Sequence, residues 1–432
     1  MGNPTTRKLL VVQAAALGHE FLTHHRGVDW DGVRFEPLQT VFPAVTATAQ
    51  ATFRTAQPPA VHGVTANGFF DRTLHRTFFW EQSSALVEGP RIWDTFRSRG
   101  GSVAMLFWQQ SLGESVDMVL SPAPIHKHHG GMIEDCASQP PDLYTRMCRA
   151  TGRPFRLLNY WGPLASARAS QWIAEATAAL LQEHDAPDLC LTYLPALDYD
   201  LQRYGPDHPR SARALDALFD QLALLRRACE ASGHAMVVFG DYAIAPCHTP
   251  VYPNRTLADA GLLATRDIRG MQYVDLHRSR AFALVDHEIA HIYLADQRDL
   301  PTAAAALRES AGIGEVLDGR DQAARGVQHA RGGELLLVAD EGCWLAYPWW
   351  TDRRAAPDYA THVDIHSKPG YDPCELFAGW PPGTISINAQ RIRGSHGRAG
   401  PARATAWAGL GFDATPNSLA GLGEAVVRWL DS

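Results

Sequence analysis

Short runs of apolar residues recur along the chain and alternate with longer stretches of helical periodicity. The apolar runs cover residues 9–13, 102–108, 188–194, 235–240 and 334–340, and their length and composition predict buried strands. Residues 169–184 and 212–232 carry apolar side chains at three- and four-residue spacing, which predicts amphipathic helices. Strands that alternate with helices predict a mostly parallel sheet with helices on both faces.

Polar side chains follow two of the predicted strands. Asp198 and Asp200 come after "CLTYLPAL", and Asp241 comes directly after "VVFG". In open parallel sheets the chemistry lies at the carboxyl ends of the strands, so we expect a site there. Residues 254–335 interrupt the alternation and predict a small inserted cap domain, with residues 1–253 and 336–432 forming the core.

Composition narrows the classes of partner and compartment. The chain is 46% hydrophobic and 20% charged, with a formal net charge of −7, which favours a soluble globular protein and argues against nucleic acid as a partner. No apolar run reaches the roughly 18 residues that span a bilayer, so we expect no membrane partner. The seven cysteines form no CxxC pair, which favours reduced thiols and a cytoplasmic location. The start "MGNPTT" matches a myristoylation pattern only weakly, and we predict no lipid anchor from it.

The stretch "ALVDHEIAHIYL" contains the HExxH signature of zinc proteases at His287–His291. That signature requires a helix, where residues i and i+4 share a face and reach one metal ion. The flanking residues alternate and are rich in β-branched and aromatic side chains, which predicts a strand. We therefore expect a structural role for these histidines, with a zinc protease as the less favoured alternative.

A second stretch, "VFPAVTATAQATFRTAQPPAVHGVTANGFFDR" at residues 41–72, favours phosphoryl chemistry. A Phe-Pro pair precedes hydroxyl residues at the start of a helix-like run, and His62-Gly63 and an asparagine follow. Helix N-termini present free N–H groups to anions. This stretch resembles the nucleophile region of the type I phosphodiesterase/nucleotide pyrophosphatase family, part of the alkaline phosphatase superfamily. The resemblance implies Thr46 as the nucleophile and Asn67 as the amide that holds a phosphoryl oxygen.

Later segments resemble the metal-ligand motifs of the same family, in order. "YLPALDYDLQRYGP", "VVFGDY" and "RGSHGR" match three of them, which implies Asp198, Asp241 and His396 as ligands. Gln202 and Tyr242 stand where the family has histidines, and the first strand lacks the family's aspartate, with Gln13 and Ala15 nearest. Because glutamine and tyrosine are poor zinc ligands, other residues could complete the set. We include His366 among the metal ligands and take as further candidate ligands Asp200, Gln202, Tyr242, Asp364 and His362.

The chain resembles a divergent bacterial branch of the superfamily more closely, through "FPAVTATAQATFRTA", "FWEQSSALVEG", "YLPALDYDLQR", "DHEIAHIYL" and "DIHSKPGYDP". The resemblance implies an alkaline-phosphatase-like three-layer α/β/α sandwich with a mostly parallel central sheet and an inserted cap. It also implies metal-assisted hydrolysis of a phosphate ester or phosphoanhydride, with one or two divalent ions, zinc first and manganese or magnesium as alternatives. We expect a small phosphorylated or nucleotide-like substrate and a homodimer.

The altered ligands leave other outcomes open. The fold could be repurposed, with a degraded metal site, for another hydrolase or transferase reaction on a specialised metabolite, or the site could be a relic that only binds. Outside the matched motifs, "HKHHGG" at 126–131 is typical of a surface or substrate path, and the aromatic cluster at 343–352 favours core packing over a stacking wall for a nucleobase.

Overall fold

A computed structural model of the chain describes residues 7–432, so "MGNPTT" and its weak myristoylation pattern lie outside the described residues. The helices are α1 His19–His25, α2 Thr46–Thr55, α3 Pro59–His62, α4 Asp94–Ser98, α5 Leu143–Thr151, α6 Ala167–Leu180, α7 Ala196–Tyr204, α8 Pro209–Ser232, α9 Pro253–Asp259, α10 Leu300–Arg308, α11 Gly319–Ala324 and α12 Leu419–Asp431. The strands are β1 Leu9–Ala14, β2 Asp29–Trp30, β3 Val33–Arg34, β4 Glu36–Leu38, β5 Gly68–Asp71, β6 Arg76–Phe79, β7 Val103–Leu106, β8 Met118–Pro122, β9 Ile125–His126, β10 Met132–Ile133, β11 Cys136–Gln139, β12 Leu189–Leu194, β13 Ala235–Gly240, β14 Ala245–Pro246, β15 Thr249–Val251, β16 Thr265–Ile268, β17 Met271–Val274, β18 Ala281–Asp286, β19 Ile289–Leu294, β20 Ile313–Leu317, β21 Leu335–Ala339, β22 Cys343–Leu345, β23 Gly394–Ser395 and β24 Thr405–Leu410.

The largest sheet has eight strands in the order β11-β8-β7-β12-β1-β13-β24-β4. The five strands from β8 to β13 run parallel, while β11, β24 and β4 pair antiparallel at the two edges. All residues of β1, β12 and β13 except Ala235 are buried, which explains why they are continuous apolar runs rather than alternating ones. The predicted mostly parallel central sheet is confirmed.

Helices cover both faces of this sheet, and alternate residues of β1 enter different cores. Leu10 and Val12 pack in the core formed with α5 to α8, and Leu9 and Val11 pack in the core formed with α2, α4 and α12. A strand turns successive side chains to opposite faces, so β1 anchors both layers. The predicted three-layer α/β/α sandwich is confirmed.

A second, separate sheet has four antiparallel strands in the order β18-β19-β21-β20. The predicted strand at 334–340 forms β21 of this sheet and not a strand of the central one. These strands span residues 281–339, so β21 crosses the predicted border at 335. The division into a core and an inserted cap at 254–335 stays a prediction.

None of the helices in residues 7–432 is long and apolar enough to cross a membrane.

Candidate active site

The carboxyl edge of the central sheet brings together side chains that are far apart in the sequence. Asp198 lies in the first turn of α7, just after β12, and Asp241 and Tyr242 follow β13 directly. Thr46 is the first residue of α2, and His396 follows β23. The structure therefore places four of the predicted site residues and Tyr242 in one cluster, linked by the contacts below.

Thr46 connects to this cluster through a tyrosine. Its Oγ1 lies 3.5 Å from the Tyr242 hydroxyl, at the outer limit of a hydrogen bond. The Tyr242 hydroxyl in turn donates to Asp198 Oδ1 at 3.0 Å. Thr46 is largely buried, with 3% of its surface exposed.

Asn67 fixes the start of α2. The Ala47 amide donates to Asn67 Oδ1 at 2.9 Å, which satisfies one of the first-turn N–H groups that have no partner within a helix. Asn67 Nδ2 and the Asn67 amide both donate to the Asp286 carboxylate, at 3.1 and 2.8 Å. Asn67 thus orients the helix that carries Thr46 and ties it to the end of β18.

Both oxygens of the Asp198 carboxylate accept hydrogen bonds from neutral side chains. Tyr242 donates to Oδ1, and Gln202 Nε2 donates to Oδ2 at 2.5 Å. The Tyr371 hydroxyl donates to Gln202 Oε1 at 3.0 Å and extends the chain of bonds. Burial raises the pKa of Asp198, while the hydrogen bonds from Gln202 and Tyr242 act in the opposite direction.

The Asp241 carboxylate is satisfied in a similar way. It accepts hydrogen bonds from Gln13 Nε2 at 2.9 Å, the Ala16 amide at 3.0 Å and the Tyr242 amide at 2.9 Å. Burial raises the pKa of Asp241 to about 7 despite these donors. Gln13 lies in β1, next to where the family motif has an aspartate.

His396 lies flat against Tyr242, with ring centroids 3.4 Å apart and an interplanar angle of 3°. Its Nδ1 is 2.7 Å from the Ala44 carbonyl oxygen, which can only accept, so Nδ1 carries the proton. The other nitrogen, Nε2, is buried without a partner among residues 7–432 and lies 3.9 Å from Asp198 Oδ1. Burial lowers the pKa of His396 well below its usual value.

The HEIAH stretch forms a β-hairpin whose tip enters this site. His287 and Glu288 form the turn between β18 and β19, and His287 has φ = +63°. The His287 ring packs against His396 and Tyr371, at centroid distances of 3.8 and 3.7 Å, and its Nδ1 is 2.7 Å from Asp286 Oδ1. This left-handed backbone is uncommon outside glycine and aims the imidazole into the cluster.

The same hairpin excludes a zinc protease. His291 lies in the middle of β19, where its ring bonds the Thr65 carbonyl and the Gly333 amide. Glu288 pairs with Arg403 at 3.3 Å and accepts the Arg398 amide, so it is not free to act as a base. The zinc-protease alternative is wrong because the helix that would put both histidines on one face is absent from this segment.

Four of the candidate ligands form other contacts. His366 bonds the Phe79 carbonyl oxygen at 3.0 Å and His362 bonds that of Asp358 at 3.1 Å. Asp200 pairs with Arg203 at 3.3 Å, and Asp364 accepts the Ser367 amide. None of the four forms a hydrogen bond or ion pair with Asp198, Asp241 or His396 within residues 7–432. Their role as ligands stays a prediction.

The residues gathered here do not fit a divalent metal ion. Within residues 7–432, no three or more His, Cys, Asp and Glu side chains are grouped so that they could hold one. Catalytic zinc sites use three protein ligands. The His396 Nε2 is free, but the Asp198 oxygens beside it already accept two hydrogen bonds, and the Nδ1 of the adjacent His287 is bonded to Asp286.

Sequence reasoning missed the contribution of Asp286, His287 and Tyr371. The recurrence of "DHEIAH" and "KPGYDP" in the branch resemblance was a signal for both segments, but a left-handed histidine at a hairpin tip has no signature in the sequence. Two other stretches lie outside this cluster. The aromatic cluster is buried, with Trp344 and Trp350 at 2% and 4% exposure, and the histidine tract forms the exposed β9–β10 hairpin.

Comparison with known proteins finds one family model that matches most of the chain. The family model described as type I phosphodiesterase / nucleotide pyrophosphatase matches residues 22–372. A comparison with curated proteins finds no match.

Solved structures share the fold at low sequence identity. Phosphonoacetate hydrolase from Sinorhizobium meliloti 1021, in complex with phosphonoformate, is 17% identical, with a TM-score of 0.61, 98% of this chain covered and 95% of that chain. Murine ectonucleotide pyrophosphatase / phosphodiesterase 5 is 16% identical, with a TM-score of 0.59 and the same coverage, 98% and 95%. An inactive variant of the murine protein, in which a threonine is replaced by alanine, in complex with AMP is 15% identical, with a TM-score of 0.58 and coverage of 98% and 95%.

Proposed function

The chain belongs to the type I phosphodiesterase/nucleotide pyrophosphatase family, hydrolases that act on phosphoester or phosphoanhydride bonds, and on this premise we propose that Thr46 is its nucleophile. The substrate we propose is a small phosphorylated or nucleotide-like molecule. Structural neighbours carry phosphonoformate or AMP, and the inactive murine variant lacks a threonine. These comparisons support the substrate class by analogy only.

One observation carries the proposal: the Thr46 hydroxyl stands at the start of α2 and is linked to Asp198 through the Tyr242 hydroxyl. A threonine hydroxyl is a weak nucleophile unless a neighbouring group takes its proton. The three groups form a path along which that proton can pass to a buried carboxylate. The N-terminal end of α2 offers N–H groups and the positive end of the helix dipole to the phosphoryl oxygens.

The reaction has two steps on this scheme. Thr46 Oγ1 forms a bond to phosphorus as the bond to the leaving oxygen breaks, the Thr46 proton moves through Tyr242 to Asp198, and the leaving oxygen takes a proton from water. Water then attacks the phosphothreonine, and as the bond from Thr46 Oγ1 to phosphorus breaks, the proton held on Asp198 returns through Tyr242 to Thr46 Oγ1. The attacking water gives its proton to the solvent, which replaces the proton that the leaving oxygen took. Asn67 positions the start of α2 throughout. Metal ions supply charge stabilisation in the family, and none of these steps is routed through one.

A pair of isosteric variants tests the nucleophile. Thr46→Val and Thr48→Val each remove one buried hydroxyl from the first turn of α2, and the Thr48 hydroxyl has no hydrogen-bond partner within residues 7–432. We expect Thr46→Val to lower turnover of p-nitrophenyl phosphate, bis-p-nitrophenyl phosphate or a nucleoside diphosphate by roughly 10³-fold or more. Thr48→Val is the matched control and keeps near wild-type turnover. Equal activities of the two variants would disprove the proposal.

A second candidate function rests on the neutral donors around Asp198 and Asp241. Gln13, Gln202 and Tyr242 take the positions of stronger ligands, which favours a site repurposed for a transferase or another hydrolase reaction on a specialised metabolite. Product analysis separates the two. Hydrolysis releases the phosphoryl group to water, whereas a transferase delivers it to an added alcohol or amine and turns over slowly without one.

Several expectations stay predictions. A zinc ion would need ligands beyond those gathered here, and manganese or magnesium would need more oxygen donors. The cytoplasmic location rests on the seven unpaired cysteines, and the homodimer on the resemblance alone.

A further inference from the structure

We propose that this chain has replaced the metal ions of its family with side chains, Tyr242 and Gln202 at Asp198 and Gln13 at Asp241, and that the protein binds no zinc there. The inference goes beyond the proposed function, because either reaction at Thr46 could proceed with or without a cation.

Both oxygens of the Asp198 carboxylate already have hydrogen-bond donors. By the family resemblance this carboxylate and two histidines would hold one ion. Here the Tyr242 hydroxyl and the Gln202 amide occupy its two oxygens, at 3.0 and 2.5 Å. A cation would have to displace at least one of these donors and leave it buried without a partner, which costs about 1–3 kcal/mol for each such group.

Tyr242 is also locked in place. Its ring is 2% exposed and stacks on His396, and its own amide bonds Asp241. The ring therefore cannot rotate away to admit an ion without leaving the contact with His396. Its hydroxyl lies between Thr46 and Asp198, so a cation placed next to both residues would have to displace it.

The Asp241 carboxylate is also fully hydrogen-bonded. Three donors share its two oxygens, one of them the Gln13 amide from β1. The family has an aspartate near Gln13, so a neutral amide takes the place of a negative ligand. The two buried carboxylates are thus compensated by donors instead of positive charge.

Unlike the two carboxylates, His396 keeps an atom that could bind a metal ion. Its Nε2 is buried without a partner within residues 7–432, 3.9 Å from Asp198 Oδ1, and is free to bind a metal. Two protein ligands fall short of the three that catalytic zinc sites use. An imidazole at position 202, one helical turn after Asp198, would be the third ligand and complete the set.

The test measures metal content without substrate. The full-length protein and the double variant Gln202→His/Tyr242→His are loaded with zinc sulfate, passed through a desalting column and analysed by plasma mass spectrometry. We expect under about half an equivalent of zinc on the wild-type protein and about one on the double variant. Wild-type protein that keeps half an equivalent or more would overturn the proposal. So would a folded double variant that takes up no zinc, since these side chains would then not be what excludes the ion.

The single variant Gln202→His keeps the test decisive if the double variant does not fold. It supplies the third ligand, an imidazole, while Tyr242 stays in place. We expect its thermal unfolding midpoint to rise on zinc addition while that of the wild type does not move. A rise in the wild type, or none in Gln202→His, contradicts the proposal.

The outcome is independent of Thr46. Metal-free but inactive protein would refute the proposed function and leave this inference intact, whereas zinc-bound, active protein would do the reverse.

Discussion

The buried lysine behind the site offers a quantitative test of how the Tyr371 segment is held. Lys368 is 1% exposed, and its Nζ lies 2.8 Å from Asp372 and 2.7 Å from Glu375. Glu375 also accepts hydrogen bonds from Trp161 Nε1 at 2.5 Å and from the Asp364 amide at 2.9 Å. Burial alone would lower the pKa of Lys368, but the two carboxylates outweigh it and raise that pKa. The lysine therefore stays charged and compensates two buried acids.

Lys368→Met removes that charge and leaves two buried carboxylates without a cation. Breaking a buried pair by deleting one partner costs about 3–5 kcal/mol. With an unfolding entropy of about 2.1 cal/mol/K per residue, this lowers the melting temperature of the 432-residue chain by about 3–6 °C. Tyr371 lies between Lys368 and Asp372 in the chain and contacts both Gln202 and His287, so we expect turnover to fall as well.

Urea denaturation followed by circular dichroism measures the loss, with turnover measured on the same samples. The control is the triple variant Lys368→Met/Asp372→Asn/Glu375→Gln, which removes the uncompensated charges and should recover part of the lost stability. A loss below about 1 kcal/mol in the single variant, or a triple variant less stable than the single one, would refute the reasoning.

Three further predictions concern the site and its hairpin. Asn67→Ala should lower the free energy of unfolding, measured by urea denaturation, by about 0.5–2 kcal/mol, because the Ala47 amide loses its hydrogen-bond acceptor. It should also lower turnover. An unchanged free energy of unfolding contradicts this prediction. Tyr242→Phe should lower turnover by breaking the path from Thr46 to Asp198 while keeping the stacked ring, and full activity would exclude the relay. Burial lowers the pKa of His291 to about 4, so its contribution to stability is complete above the unfolded pKa of about 6.5 and is lost as the pH falls through 4, by up to about 3 kcal/mol. His291→Gln should therefore show a shallower decline in the free energy of unfolding between pH 6.5 and 4, and an unaltered decline argues against His291 as its source.

The sandwich could be predicted because its strands are buried on both faces. Such strands appear as continuous apolar runs, and β1, β12 and β13 were found within a residue or two of their bounds. The run at 334–340 has the same appearance but belongs to the second sheet, since burial alone does not reveal which sheet a strand joins. The strand prediction for HEIAH is confirmed, because alternation and β-branched residues distinguished it from a helix.

The site was predicted in part, through the motifs after strand ends. Asp198 and Asp241 meet because the parallel strands β12 and β13 share a carboxyl edge, and Thr46 and His396 reach the same edge from the start of α2 and the end of β23. The hairpin tip at His287 and the loop at Tyr371 come from segments whose motifs do not reveal that they lie beside Asp198 and His396, so only the fold brings them in. The sequence shows only that Gln202 and Tyr242 replace two ligands of the family motif. The structure adds that both side chains donate hydrogen bonds to Asp198.

The most direct measurement of the central claim is the chemical state of Thr46 during turnover. Rapid acid quench of the enzyme with a phosphorylated substrate, followed by peptide mass mapping, would detect a covalent phosphoryl adduct. The account predicts the adduct on Thr46 in the wild-type protein and its loss, together with turnover, in Thr46→Val. Steady turnover by Thr46→Val, with no adduct on any residue of α2 in either protein, would contradict it.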